Sequence, residues 1–287
     1  FLKENGFRLR KPDYKIGVSN LMRSQWLTLK TGLAMIRQQG MRVILGPTVG
    51  AVELTVFATI RTGANVALKG LGAIANPLLP ELMRFLNKRD QAKVEGGIAT
   101  IWLVLIFIMF PSVLLVQAYI EPFFSIWVRD KIAFDPLLFA ILSAGVLTNA
   151  MARPAMAIAI GNNLLHAQFI ISLLSALILV GFLAVLVPED GIRGAAWSLL
   201  AAEWVAAIGH IYVAQTWLKI HNLQWPWTSY WRILICLICI FSVLGLLLLK
   251  PSYKIVWLMF GLGIIGIFGY SYLRSLPAEI NALLAKN

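Results

Sequence analysis

Charged side chains set inside long apolar stretches are the residues with chemistry to explain. The stretch 27–45 carries Lys30, Arg37, Gln38, Gln39 and Arg42, and the stretch 51–71 carries Glu53, Arg61, Asn65 and Lys69. On a helix advancing by roughly 100° per residue, Lys30 and Arg37 lie about 20° apart. Gln38 and Arg42, an i, i+4 pair, widen that polar face. Glu53, Arg61, Asn65 and Lys69 fall within an arc of roughly 160° at the same advance. Together the two stretches describe a hydrophilic, mostly cationic wall.

A charge at the centre of a membrane span is costly, so it faces the bundle interior or a water-filled cavity. Lys30 and Lys69 have stems long enough to snorkel to the surface, which requires no ligand. Arg37 and Arg61 fall nearer mid-span and point to a cavity. Glu53 has two readings, as a structural partner of an arginine or as a proton carrier. A cationic cavity selects an anion, phosphate or carboxylate, because the planar arginine fork donates two parallel hydrogen bonds to either. There is no matching acidic constellation, which argues against an organic cation as substrate.

Other polar residues give weaker signals. Glu203 and His210 form an i, i+7 pair in the sixth span, and His166 lies in the fifth. They fit a proton relay or cation site, and equally hydrogen bonding within a bundle. Gly161-Asn162-Asn163 reads as a break between helices, with a substrate role as the alternative. Cys236 and Cys239 form a C-x-x-C inside an apolar helix, without the further ligands that zinc or redox chemistry needs. Gly261-Leu262-Gly263-Ile264-Ile265-Gly266 matches G-x-G-x-x-G by letter, but no strand precedes it. With Gly269 it offers a small-residue face for helix packing. No metal-ligand spacing and no nucleophile–base arrangement emerges, so neither a catalytic residue nor a cofactor is expected.

The elements that must position these residues are membrane helices. Of 287 residues, 59% are hydrophobic and 13% charged, with mean hydropathy +0.79. Soluble domains carry about a quarter charged residues. Apolar runs of the ~20 residues needed to cross a bilayer recur along the chain. The expected architecture is an all-α polytopic bundle of about eight spans. These are 27–45, 51–71, 97–120 (with Pro111 inside), 136 to about 153, 164–187, 194–215, 232–249 and 255–273. Gly46–Gly50 and Pro188–Gly191 are the expected turns between the first and second spans and between the fifth and sixth.

The net charge of +12 follows from basic residues gathered in alternate loops and not from a nucleic-acid-binding surface. Lys3 to Arg23, Arg84 to Lys93, Arg153, Lys219 with Arg232, and Arg274 with Lys286 fall on one side. By the positive-inside rule that side is cytoplasmic and holds both ends of the segment. Trp217, Trp225, Trp227, Tyr230 and Trp231 cluster where the sixth and seventh spans should meet the headgroups. A chain opening on Phe1 with a basic stretch reads as part of something longer.

The stretch Leu45-Gly46-Pro47-Thr48-Val49-Gly50, the helix with Thr62 and Asn65, then Pro77, Pro80 and a basic amphipathic segment carry a recognisable pattern. It resembles the start of the second half of Wzx-like O-antigen and polysaccharide flippases, in the multidrug/oligosaccharidyl-lipid/polysaccharide exporter superfamily. Only residues 40–90 carry anything motif-like. The resemblance implies two six-helix lobes around a central cavity. Residues 1–26 would then be a basic cytoplasmic segment and 27–215 the second lobe. Two additional helices would occupy 216–273, with a tail at 274–287.

It further implies alternating access, a polyprenyl-pyrophosphate-linked saccharide as substrate, and the cytoplasmic (inner) membrane as location. The membrane lipids and a missing N-terminal lobe are the other implied partners. Arg37, Arg42 and Arg61 are the positions that fit the substrate role, with Asn65, Lys30 and Glu53 beside them. A multidrug/cation antiporter of the same superfamily is one alternative, though only Glu53 and Glu203 supply acids. A membrane polysaccharide polymerase or glycosyltransferase is the other, though the longest outer loop, 121–135, is short for it.

Overall fold

Hydrocarbon offers no partner to a backbone N–H or C=O, so an apolar chain of this kind must satisfy its backbone within helices. The computed structural model describes residues 14–35, 41–129 and 131–274, and among them there is no strand. In order, the helices are α1 (Tyr14–Met35), α2 (Met41–Ala75), α3 (Leu78–Lys88), α4 (Gln91–Val104), α5 (Phe110–Val128), α6 (Pro136–Met151), α7 (Arg153–Gly161), α8 (Leu165–Ile220), α9 (Trp227–Leu249) and α10 (Lys254–Arg274). Five helical stretches are long and apolar enough to cross a membrane, or six when α6 and α7, bent by 49° at their junction, count as one span.

The breaks have identifiable causes. Pro154, at the first turn of α7, cannot donate back to α6, and the chain bends there. Trp102 Nε1 donates to the Met151 carbonyl at 3.0 Å and satisfies an acceptor at that bend. Pro111 sits just after a π-helical turn, Leu105–Met109, that joins α4 to α5, so the expected third span runs unbroken from Gln91 to Val128.

Helix α8 is continuous only by its hydrogen-bond pattern. Gly191 has φ +56 and ψ −130, and the chain doubles back through it. Ser175 Oγ donates to the Ala202 carbonyl at 3.1 Å, whereas twenty-seven residues of straight helix would separate them by about 40 Å. Gly194 lies so close to the returning chain that a Cβ there would stand 2.2 Å from the Leu186 carbonyl oxygen. The 165–190 and 192–220 halves are thus antiparallel, as the Pro188–Gly191 turn implied, although Pro188 itself stays helical.

Gly50, with φ +87 and ψ 167, does the same in α2. A Cβ on Gly46 would touch Leu54 at 3.7 Å, far closer than eight residues of straight helix permit. The expected turn at 46–50 is therefore present, tightened to its last residue.

The expected first span, 27–45, is described only on either side of residues 36–40, which lie outside the described residues. Helix α1 starts earlier than expected, at Tyr14, and is described to Met35. Gln25, Thr28, Lys30 and Thr31 keep α1 too polar to stand among the membrane-length apolar helices. Among the described residues five or six stretches qualify, with the two halves of α8 taken as one.

One cluster of buried apolar side chains runs from Met41 in α2 to Tyr272 in α10. Helix α10 enters it on glycines. A Cβ at Gly261 would meet Leu114 at 2.7 Å and one at Gly269 would meet Phe107 at 2.6 Å, while Gly263 and Gly266 face open space. The small-residue face thus uses two of the glycines that the spacing suggested. Cys236 is buried, Cys239 half-buried, and both are free thiols. At the opposite end, Asp135 caps α6 by accepting from the backbone N–H groups of Leu137 and Leu138 at 3.0 and 3.1 Å. It also holds Arg193 Nε at 2.8 Å, tying the α8 fold-back to the start of α6.

The fold-back predicts that Gly194→Ala destabilises the protein by about 1–3 kcal/mol, because a methyl there must displace backbone. Gly181→Ala, in open space, should be near neutral. Reversible unfolding in mixed micelles compares the two, and equal stabilities would mean that the two halves do not approach at Gly194.

Candidate functional site

Arg61 stands eleven residues past the Gly50 fold-back, about 16 Å along α2, roughly half of a ~30 Å hydrocarbon core. Glu203 stands twelve residues past the Gly191 fold-back, about 18 Å along its own half of α8. Asn149, near the end of α6, reaches a similar depth. The fold brings the three together. Arg61, Asn65, Asn149 and Glu203 line a small cavity of about 50 Å³, closed by Gly145, Leu142 and Leu199. Asn149 Nδ2 donates to Glu203 Oε2 at 3.1 Å.

A second cavity, about 180 Å³, lies on the far side of that pair and is lined by Lys30, Gln168, Ser172, Ser175, Glu203 and His210. Lys30 donates to Gln168 Oε1, and the Gln168 amide donates on to the Ala159 carbonyl at 2.8 Å. Asn149 and Glu203 line both cavities and form the partition between them. The Glu203 stem packs against α6 at Gly145, where a Cβ would lie in ordinary contact, 3.8 Å from Glu203 Cγ.

The sequence-derived residues divide accordingly. Arg61 and Asn65 share one cavity; they lie about 40° apart on α2 and are half-buried. Lys30 occupies the neighbouring cavity near the end of the bundle, since its partner Gln168 is in the first turn of α8. Glu53 is exposed beside the Gly50 fold-back, about 12 Å along the helix from Arg61. The acid that shares a cavity with Arg61 is Glu203. Arg37 lies outside the described residues, as does the side chain of Arg42, whose backbone belongs to the first turn of α2. Lys69 is exposed.

Sequence reasoning did not single out Asn149. Its signal was present: one amide inside the apolar run Leu147-Thr148-Asn149-Ala150. Glu203 was noticed, but for its spacing to His210; the two line the same larger cavity, where His210 Nδ1 also lies 2.7 Å from the Ala206 carbonyl of its own helix. His166 packs edge-on against Trp26 of α1, with ring centroids 5.1 Å apart. Among the described residues no three His, Cys, Asp or Glu side chains gather in a way that could hold a metal.

The small cavity has room for a few waters and not for a sugar phosphate. Thr55, Thr59 and Thr62 lie within an arc of roughly 60° on a different face of α2, about 130° round the helix from Arg61, each hydroxyl bonded back to the carbonyl four residues earlier. Beyond Ala64, on the flank of α2 away from Arg61, an apolar cavity of about 520 Å³ opens between Gly63, Val116, Phe123, Trp127 and Phe139.

No family model, no curated protein and no solved structure matches this chain.

The Asn149–Glu203 bond is testable by itself. Asn149→Ala leaves Glu203 short of a donor in a region of low dielectric, and should cost about 1–3 kcal/mol of stability. The unfolding assay measures it; a neutral result would mean that water replaces the amide.

Proposed function

We propose that this chain is one lobe of a flippase, a non-enzymatic transporter that moves a polyprenyl-pyrophosphate-linked oligosaccharide, such as an O-antigen repeat unit, across the cytoplasmic membrane. The observation that carries the reading is Arg61 with Asn65 at mid-depth of an apolar bundle. A guanidinium held there favours an anion and suits phosphate, to which it donates two hydrogen bonds at once. Asn65 adds an amide able to bond a further phosphate or sugar oxygen.

Transport by alternating access needs a second body facing that surface. In this reading the missing N-terminal lobe of the same protein supplies it, and rocking of the two lobes exposes Arg61 to each side in turn. Arg37 and Arg42 remain further candidates for the lipid-linked pyrophosphate by the resemblance, and Lys30 lies nearer the entrance. Glu203 serves as the counter-charge that lets Arg61 stay ionised between cycles. Glu53, exposed near the outer turn, meets the sugar end of the substrate.

The orientation follows from charge. Arg84, Lys88, Arg89, Lys93, Lys219, Arg232 and Arg274 gather at the end of the bundle where α3 lies. At the other end Arg129, Lys131, Arg193, Lys250 and Lys254 are balanced by Glu121, Asp135, Glu189 and Asp190. The first end is cytoplasmic by the positive-inside rule, and both ends of the segment lie there.

Expressed from its full gene in polysaccharide-producing cells, Arg61→Ala should lower surface polysaccharide by about 10–100-fold, the loss of one charge-assisted phosphate contact. Protein abundance in the membrane should stay normal, and Arg61→Lys should retain part of the activity. Unchanged polysaccharide in Arg61→Ala would remove Arg61 from the substrate path and with it this reading.

A further inference from the structure

Helix α3 is strongly two-faced, and only one face is used inside the bundle. Leu82 and Leu86 are buried, with Leu82 against Gly97 of α4, where a Cβ would lie 3.1 Å from Leu82 Cδ1. Met83 lies over Gly161 at the end of α7. The opposite face presents Glu81, Arg84, Asn87 and Lys88 to the surroundings, and Arg89 continues it in a left-handed turn with φ 53. Arg84 reaches Glu81 only at 4.0 Å, with both side chains more than half exposed, a pair of little energetic weight.

The next positive charge is already spoken for. Lys93 Nζ lies 2.8 Å from Asp90, whose carboxyl caps α4 by accepting from Lys93 N at 3.2 Å. These bonds to Lys93 hold the Asp90 carboxyl below its ordinary range, so it stays ionised. Arg84, Lys88 and Arg89 remain as a short row of exposed cations on one side of this capped turn.

That turn is stitched to the loop between α8 and α9. Gln91 Nε2 donates to the Gln224 carbonyl at 3.1 Å, and Gln224 N donates back to Gln91 Oε1 at 2.9 Å. A few residues on, Trp225 is buried against Trp102, with ring centroids 5.7 Å apart. Trp227 and Trp231, at the start of α9, are exposed and stacked at 6.4 Å. Tryptophans in this position mark the headgroup level of a bilayer. The basic row and the exposed indoles thus belong to one rigid corner at one depth.

We propose that this corner, formed by Arg84, Lys88 and Arg89 of the α3–α4 turn beside Trp227 and Trp231, is a binding site for the headgroup of an anionic phospholipid. A basic side chain near an anionic leaflet contributes roughly fivefold to partitioning. Three on one turn give phosphatidylglycerol a clear advantage over zwitterionic lipid. The α3 face that packs on α4 and α7 fixes the height of the site, and the indoles flank the glycerol backbone.

The test uses the full protein, purified in detergent, with phosphatidylglycerol and phosphatidylcholine offered together. Native mass spectrometry counts the lipids retained. The native protein should keep phosphatidylglycerol over phosphatidylcholine by tenfold or more. The triple variant Arg84→Gln, Lys88→Gln, Arg89→Gln should lose most of that preference. A control with the same charge change at the opposite end, Arg129→Gln, Lys131→Gln, Lys250→Gln, should retain it.

The single variant Lys88→Gln, on a fully solvated face, guards against misfolding of the triple and should lower the preference about fivefold. Equal losses in the triple and the control would reduce the effect to net charge and overturn the site. So would displacement of the lipid by inorganic phosphate at equal concentration. No step depends on transport, so failure here leaves the role proposed for Arg61 untouched.

Discussion

A backbone in hydrocarbon has nowhere to place a hydrogen bond except within itself, and every feature of this fold follows from that constraint. It makes the described chain helical almost throughout and forces reversals into single residues at the ends of spans. Gly50 and Gly191 are those residues. Each adopts a positive φ that a side chain resists, and each turns the chain with hardly a residue left outside a helix. The same constraint governs the threonines of α2, whose hydroxyls return to carbonyls of their own helix. A polar side chain that cannot do so must find a partner across a helix interface, as Asn149 and Glu203 do.

The polar site is therefore a product of packing between α2, α6 and α8. Arg61 carries a charge to mid-depth, and the cost is contained because Asn65, Asn149 and Glu203 are gathered around the same small space. Glu203 borders both cavities, so a change on the Lys30 side is felt on the Arg61 side through one shared carboxylate. Both cavities are narrow.

Much of this was legible in the residues. Apolar runs located the membrane helices from Gln91 onward, and Pro188–Gly191 marked the reversal that Ser175 and Ala202 now document. Pro154 marked the α6–α7 bend. The start of the first helix was not legible: α1 begins at Tyr14, inside a stretch read as a polar lead-in, and its polar face hides it from hydropathy. Arg61 was found by its depth in the sequence. Its acidic neighbour was not, since periodicity relates residues of one helix and is silent on which helices meet. Glu53 shares a helix with Arg61 yet lies at the other end of it, whereas Glu203 comes from a helix far along the chain.

The two reversals also bear on how the chain assembles during synthesis. The halves of α8 touch through Gly194 and Leu186, and α9 meets α10 across a short connection, so these pairs can close as each leaves the translocon. The helix bearing Arg61 folds back early at Gly50, but its cavity is completed only by later helices. Its neighbours at depth, Asn149 and Glu203, are synthesised long after it. Until they arrive the cavity that holds the Arg61 guanidinium is incomplete, and the polar centre of the bundle closes only once the second half of α8 has been made.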